Sequence, residues 1–294
     1  AILPAHQVGV QVLGDCYGGL VHLGEREGSL LYGNQKLVEE SPAPCLDPER
    51  RSALHHTALA LARLFAFQNV GTVEFLLDEQ GQYYFSEIKP RIQIVHPLAE
   101  MLARVDLVQL QFRLAAGQPL PFDQAGVQLD GWAMQCRITA EDPWRQYLPN
   151  PGRLEMVRLP GGPGVRVDTY VYCGCAIPAE YDPLVAKLIV WAADRPACTA
   201  RLRQALRECS LIGAPTNLPL VQRIVDQPAF QAGSYTTDGL LEPGHDESGD
   251  EEAHYRDLAA VVALLYQGQA AGRRPVRPER LQTGWHRDSR RLPS

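Results

Sequence analysis

The stretch from Glu74 to Pro97, EFLLDEQGQYYFSEIKPRIQIVHP, concentrates side chains able to bind cations, anions and protons, among them Glu74, Glu87, Lys89, Arg91, Gln93 and His96. Alternating apolar and polar residues on both sides of a polar break predict a β-hairpin. With the turn at Gln80-Gly81, where Gly tolerates the positive φ of a two-residue loop, Glu74 falls directly opposite Glu87. Like charges opposed across two strands resist pairing, so something positive should stand between them. A divalent ion is one answer, because Mg²⁺ is commonly held by one or two carboxylates together with substrate phosphates. The sequence offers a second. Counting by twos from Glu87, the same strand face presents Lys89 and then Arg91, and an ammonium there could neutralise the pair without any metal. The hairpin alone leaves both readings open.

The elements that must position this hairpin are legible on either side. VGVQVLGD and LVHLGE form two strands joined through Gly18-Gly19. Asp47-Pro48 starts a helix, with Asp at the cap, Pro in the first turn, and Leu54, Ala58, Leu61 and Phe65 as its apolar stripe. His55 and His56, adjacent on that helix, point to different sides, do not suit one metal, and read as surface residues. Residues 97–117 are helical in two pieces, the second capped by Asp106. The polar, Pro-bearing stretch between Gly117 and Gly131 is the expected domain boundary. Beyond it WAMQCRI alternates, one face being core and the other turning Arg137 towards a cleft, where a fixed guanidinium suits planar anions; an ion pair with Glu141 or Asp142 is the alternative. RLEMVRL and VRVDTYV read as a hairpin around Pro160-Gly161-Gly162-Pro163. VAKLIVWA is a strand buried on both faces, and Asp194-Pro196 opens a helix with Leu202, Ala205, Leu206 and Cys209 inward and Gly213 as its end. TNLPLVQRIV gives another helix, and a further one runs through LAAVVALLYQGQ.

Composition sets bounds. The 294 residues are 45% hydrophobic, enough for a globular chain of two modest domains, and a net charge of −6 disfavours nucleic acid as a partner. An acidic linker spans residues 242–254 and an arginine-rich tail runs from Arg273 to Arg291. The seven cysteines include no C-x-x-C and read as reduced cytosolic thiols, in neither a zinc ribbon nor a disulfide framework. No run reaches the length of a membrane span, and AILPAHQ lacks the features of a signal peptide, so a cytoplasmic protein without membrane contact is expected.

The run GTVEFLLDEQGQYYFSEIKPRIQIVHPLAE, with HLGERE and NQKLVEESPAP before it and AMQCRITAEDP after it, resembles the biotin carboxylase component of biotin-dependent acyl-CoA and pyruvate carboxylases, over about residues 8–243. The resemblance implies an α+β chain. Residues 1–122 would form the C-terminal half of an ATP-grasp domain and 131–243 the biotin carboxylase C-terminal domain. Residues 244–294 would be the linker, helix and tail. The doubly wound domain and glycine-rich lid of the family are not expected within this chain. By the same resemblance Glu74 and Glu87 bind the Mg²⁺ (or Mn²⁺) of Mg-ATP, and Lys36, Leu76 and Thr237 contact ATP. Arg91 and Gln93 belong to a bicarbonate pocket, and Arg137 stabilises the biotin enolate, which makes Arg91 and Arg137 the implied catalytic residues. Biotin would be a substrate on a separate carrier protein or domain. The other implied partners are a carboxyltransferase subunit and a second copy of the chain in a homodimer.

The departures matter equally. Lys89 stands where the family has an Asn beside the metal, and Val95 where it has the Glu assigned to deprotonate bicarbonate; valine accepts no proton. The nearest titratable group, His96, is expected to face the other way. Gln7 replaces an ATP-site His, and Tyr32 and Gly33 replace paired arginines. The expected function is ATP-dependent carboxylation of carrier-bound biotin with bicarbonate, impaired in this chain. The alternative is a non-catalytic remnant acting as an interaction module. Another ATP-grasp ligase fits less well, since the RIQ-HP and CRI-AEDP runs are particular to biotin carboxylases. None of the three methionines precedes a lysine, so the Met-Lys-Met biotinylation sequence is absent from this sequence.

Overall fold

The structure, a computed structural model, describes residues 4–32, 35–145, 147–238 and 259–266. Gly33, the acidic linker and the arginine-rich tail lie outside the described residues. The chain divides into units of residues 1–242 and 243–294. In the second, residues 259–266 are helical, within the segment where a helix is expected.

The first unit is mixed helix and sheet, built on one eight-stranded sheet in which every neighbouring pair is antiparallel. In chain order its strands are β1 (His6–Gly14), β2 (Leu20–Tyr32), β3 (Gln35–Ser41), β4 (Asn69–Leu77), β5 (Tyr83–Lys89) and β6 (Trp132–Thr139). The short β7 (Glu141–Asp142), β8 (Leu148–Pro149), β9 (Gly152–Arg153), β10 (Met156–Arg158) and β12 (Ala176–Ile177) lie outside it, whereas β11 (Val165–Thr169) and β13 (Leu184–Ala192) belong to it. The order across the sheet is β5-β4-β1-β2-β3-β6-β13-β11. The pairing of Val38 with Cys136 joins β3 to β6, so the 117–131 stretch links two halves of one continuous sheet.

The first helix, α1 (Pro48–Leu64), is capped by the Asp47 carboxylate, which accepts from the Arg50 N–H at 2.8 Å. Its inward face holds Leu54, Ala58 and Ala62, the first two packed with Val8, Val10 and Val12 of β1 and Val73 and Phe75 of β4. Phe65, expected on that stripe, falls after the last turn and is exposed. His55 is buried, contrary to the surface reading: it binds Glu25 at 2.6 Å and stacks on His22, while His56 is exposed. The histidine takes an inward position on the helix because Glu25 is there to pair with it.

On the other face, α2 (His96–Ala103) and α3 (Leu107–Ala115) are the two expected pieces, and Asp106 caps the second. Leu107, Leu110 and Leu114 pack on Leu13, Val21 and Leu23. Helix α4 (Arg195–Glu208) and α5 (Leu218–Asp226) bury Leu202, Leu206, Val221 and Ile224 against Met134, Cys136, Leu188 and Val190, the largest core cluster; α6 (Pro228–Ala232) adds Phe230. The chain leaves α4 at Glu208, before Gly213, because β14 (Ser210–Ile212) follows at once. That strand takes β10 as its partner, whereas β11 goes to the sheet edge beside β13. The expected hairpin between RLEMVRL and VRVDTYV therefore does not form. Its second strand lies instead where Val165 and Val167 are half-buried against the main core.

Candidate nucleotide and anion site

Glu74 and Glu87 do sit opposite each other on β4 and β5, but the turn differs from the expected one. The reversal is a three-residue loop, 79–81, closed by Asp78 and Gln82, with Gly81 at φ 78°. The pairing Leu77–Tyr83 and Phe75–Phe85 would by itself misalign the glutamates. A register shift at Ser86, between Phe75 and Glu74, restores them.

Glu74 is buried, and both its oxygens are occupied. Oε2 accepts from Lys89 Nζ at 3.1 Å; Oε1 accepts from Gln93 Nε2 at 3.1 Å and lies 3.8 Å from Lys36 Nζ. The Lys89 ammonium also reaches Glu87 Oε1 at 3.3 Å, so it bridges the two facing carboxylates. As arranged, the pair does not fit a divalent ion, because the ammonium stands between the oxygens that would ligate one. Burial alone would raise the Glu74 carboxyl, yet Lys36 and Arg26, with hydrogen bonds from Gln93 and Lys89, hold it below its ordinary value.

A second, deeper layer supports the first. Arg137 on β6 donates to Glu39 on β3 at 2.7 Å, and the same carboxylate lies 3.8 Å from Lys36 Nζ and 3.9 Å from Arg26 Nε. Burial raises Glu39, and Arg137, Lys36 and Arg26 outweigh it. Lys36 and Arg26 are both pulled down by burial, against the carboxylates that face them. Four cations thus surround three carboxylates across five strands, β2 to β6, an arrangement that leaves spare positive charge for an anion. Gln7, Leu76, Lys36, Glu74, Glu87 and Lys89 line a cleft of about 220 Å³ here.

Of the residues expected to form the site, the structure brings together Glu74, Glu87, Lys36, Leu76 and Gln93, with Arg137 reached through Glu39. Arg91 stays apart: it is exposed in the bend after β5 and donates to the Ile92 carbonyl at 3.2 Å. Thr237 meets the start of β1, its N–H donating to the Ala5 carbonyl at 2.9 Å. His96 turns to the Gln93 carbonyl and to Glu100. Val95, 1% exposed, packs with Leu98, Leu102, Ala133 and Ile189. Arg26 and Glu39 are members the sequence reading missed. Their signal is a short cluster of charged residues inside a strand, Glu25-Arg26-Glu27 in GEREG and Glu39-Glu40 in LVEES. All seven cysteines are free, and among the described residues no helix is long and apolar enough to cross a membrane.

Comparisons with known proteins agree with this architecture. Residues 2–122 match the family described as carbamoyl-phosphate synthase L chain, ATP binding domain, and residues 135–242 match the biotin carboxylase C-terminal domain. A biotin carboxylase of Nostoc sp. is 45% identical over 239 residues, 81% of this chain and 53% of that protein. The propionyl-CoA carboxylase alpha chain of Ruegeria pomeroyi is 38% identical over 96% of this chain and 46% of its own length. Among solved structures, the biotin carboxylase domain dimer of Hydrogenobacter thermophilus 2-oxoglutarate carboxylase, in complex with MgADP, ADP and bicarbonate, superposes with a TM-score of 0.79. It is 40% identical and covers 81% of this chain and 52% of that one. The chain therefore spans about half the length of the relatives it matches. Two consecutive domain matches, the relatives and the shared fold lead to one conclusion: the chain belongs to the biotin carboxylase family.

Proposed function

We propose that this chain forms part of the ATP- and bicarbonate-binding cleft of a biotin carboxylase, acting in ATP-dependent carboxylation of biotin on a carrier, and that its own residues leave this reaction impaired. The observation behind the reading is the cationic cleft around Glu74. Lys36 and Lys89 face it from two strands, which suits a nucleotide polyphosphate, and Leu76 offers an apolar contact for the base. Gln93 and Arg137 are the nearest groups for bicarbonate and for a biotin enolate, with Thr237 closing the seam at Ala5. Arg91, exposed in the bend two residues from Lys89 and two from Gln93, is the further guanidinium for bicarbonate. Phosphoryl transfer depends mostly on positioning and charge neutralisation, and Lys89 supplies a fixed positive charge at the carboxylate pair. A Mg²⁺ or Mn²⁺ ion held by Glu74 and Glu87 would have to displace that ammonium. The homologous dimer and the relatives' names support a second copy of the chain, a biotin carrier and a carboxyltransferase subunit as partners. A division of labour between residues 1–122 and 131–243 and a cytoplasmic location belong to the same reading.

Impairment rests on Val95. A buried valine among Leu98, Leu102, Ala133 and Ile189 offers no base to bicarbonate, and His96 is engaged with the Gln93 carbonyl. The same observation favours a second reading, a non-catalytic interaction module. Two measurements on the 294-residue chain separate them. ATP binding by calorimetry is expected, whereas bicarbonate-dependent ATP cleavage with free biotin is expected to stay at background. Robust turnover would overturn the impairment, and absence of ATP binding would leave only the interaction module.

A further inference from the structure

A second pair of facing glutamates lies in the same sheet, on the far side of β1, where Glu27 of β2 is in register with Glu40 of β3. Glu40 is fully matched, receiving Arg195 at 2.8 and 2.9 Å, Tyr235 Oη at 2.7 Å and Trp132 Nε1 at 2.7 Å. Glu27 is not. Only 1% exposed, it is, among the described residues, the buried glutamate of β2–β4 with no lysine or arginine paired to it. Its Oε1 accepts from Ser29 Oγ at 2.9 Å and lies 2.5 Å from His6 Nδ1, and its Oε2 has no hydrogen-bond partner. A buried, half-satisfied carboxylate facing a second carboxylate is costly without a compensating cation.

The third neighbour is Cys45, half-buried in the loop before α1. A ring nitrogen of His6, a carboxylate oxygen of Glu27 and the Cys45 sulfur all lie within 4.8 Å of one another. We infer that His6, Glu27 and Cys45 form a binding site for one zinc-class divalent cation. Imidazole nitrogen, thiolate sulfur and carboxylate oxygen are the three donor types zinc uses, and three protein ligands leave a fourth position for water. Bonds of about 2.0–2.3 Å set tetrahedral donors roughly 3.3–3.8 Å apart, so the 2.5 Å His6–Glu27 contact opens by about an ångström as the ion enters. Glu27 then gains a partner for its unmatched oxygen, and the ion offsets the repulsion from Glu40. Zinc binds sulfur as the thiolate, so the Cys45 proton leaves to solvent as the metal–sulfur bond forms.

Cobalt titration of the reduced 294-residue chain tests the site. One equivalent of Co²⁺ is expected to saturate a sulfur-to-cobalt charge-transfer band that Zn²⁺ abolishes and millimolar Mg²⁺ leaves intact. Cys45→Ser should remove the band, and His6→Ala should weaken binding at least tenfold. A readout on the unaltered protein guards against misfolded variants: Zn²⁺ should protect Cys45 from alkylation, mapped by mass spectrometry, while the exposed Cys16 and Cys173 label as before. A band that persists in Cys45→Ser, or Cys45 labelling unchanged by zinc, overturns the assignment and leaves a simple His6–Glu27 ion pair.

Discussion

Two pairs of glutamates face each other across this sheet, and their surroundings diverge. Glu74 and Glu87 meet at an edge where Glu87 is half exposed, and a lysine two residues along the same strand bridges them. Glu27 and Glu40 meet at the interior β2–β3 ladder, both essentially out of contact with water. Arg195, contributed by a helix 155 residues further on, matches Glu40, whereas Glu27 has an imidazole and a hydroxyl. A local cation is enough where water shares the work. In the interior, each carboxylate needs donors brought from distant parts of the chain.

The sharpest way to break this contrast is Arg195→Ala, which strands Glu40 beside Glu27 in the core. A loss of about 3–5 kcal/mol in urea unfolding is expected; a loss below 1 kcal/mol would mean that Glu40 does not depend on its distant partner. Acid titration comes next. On the same interior strand as Glu27, burial would raise Glu25, but His55 and Arg51 bring it from 4.5 down to about 2. A folded-state value below the unfolded one stabilises the fold fully above pH 4.5, and that contribution, about 3 kcal/mol, fades as pH falls towards 2. Glu25→Gln should flatten this limb of the stability profile, and an unchanged limb would remove Glu25 from the account. Smallest in effect is Lys89→Asn at the open pair. It should raise Mg²⁺ or Mn²⁺ affinity about tenfold by calorimetry, or about 1.4 kcal/mol, with little change in melting temperature. Tight Mg²⁺ or Mn²⁺ binding by the unaltered chain, lost in Glu74→Gln, would contradict the bridging role of Lys89.

Much of this is legible in the sequence. Strand alternation located both hairpin arms around Glu74 and Glu87, and parity along the strand put Lys89 on their side. The turn is not legible, because a longer loop and a bulge at Ser86 cancel at the glutamates and leave no trace in the alternation. Long-range partners were illegible for a different reason. Nothing local to His55 states that Glu25 lies above it, and nothing in RLEMVRL states that Ser210–Ile212 will compete for it. Val95 could be seen as a missing base. That it belongs to a core shared with Ala133 and Ile189 emerges only when β6 and β13 are in place.

The bond between the Thr237 N–H and the Ala5 carbonyl spans 232 residues, and Tyr235 reaches Glu40 over 195. β1 emerges from the ribosome more than two hundred residues before the segment that bonds to its start. Until then the upstream strands must wait with an incomplete edge and a buried acid not yet matched. Slow folding is the expected consequence of the span of those contacts.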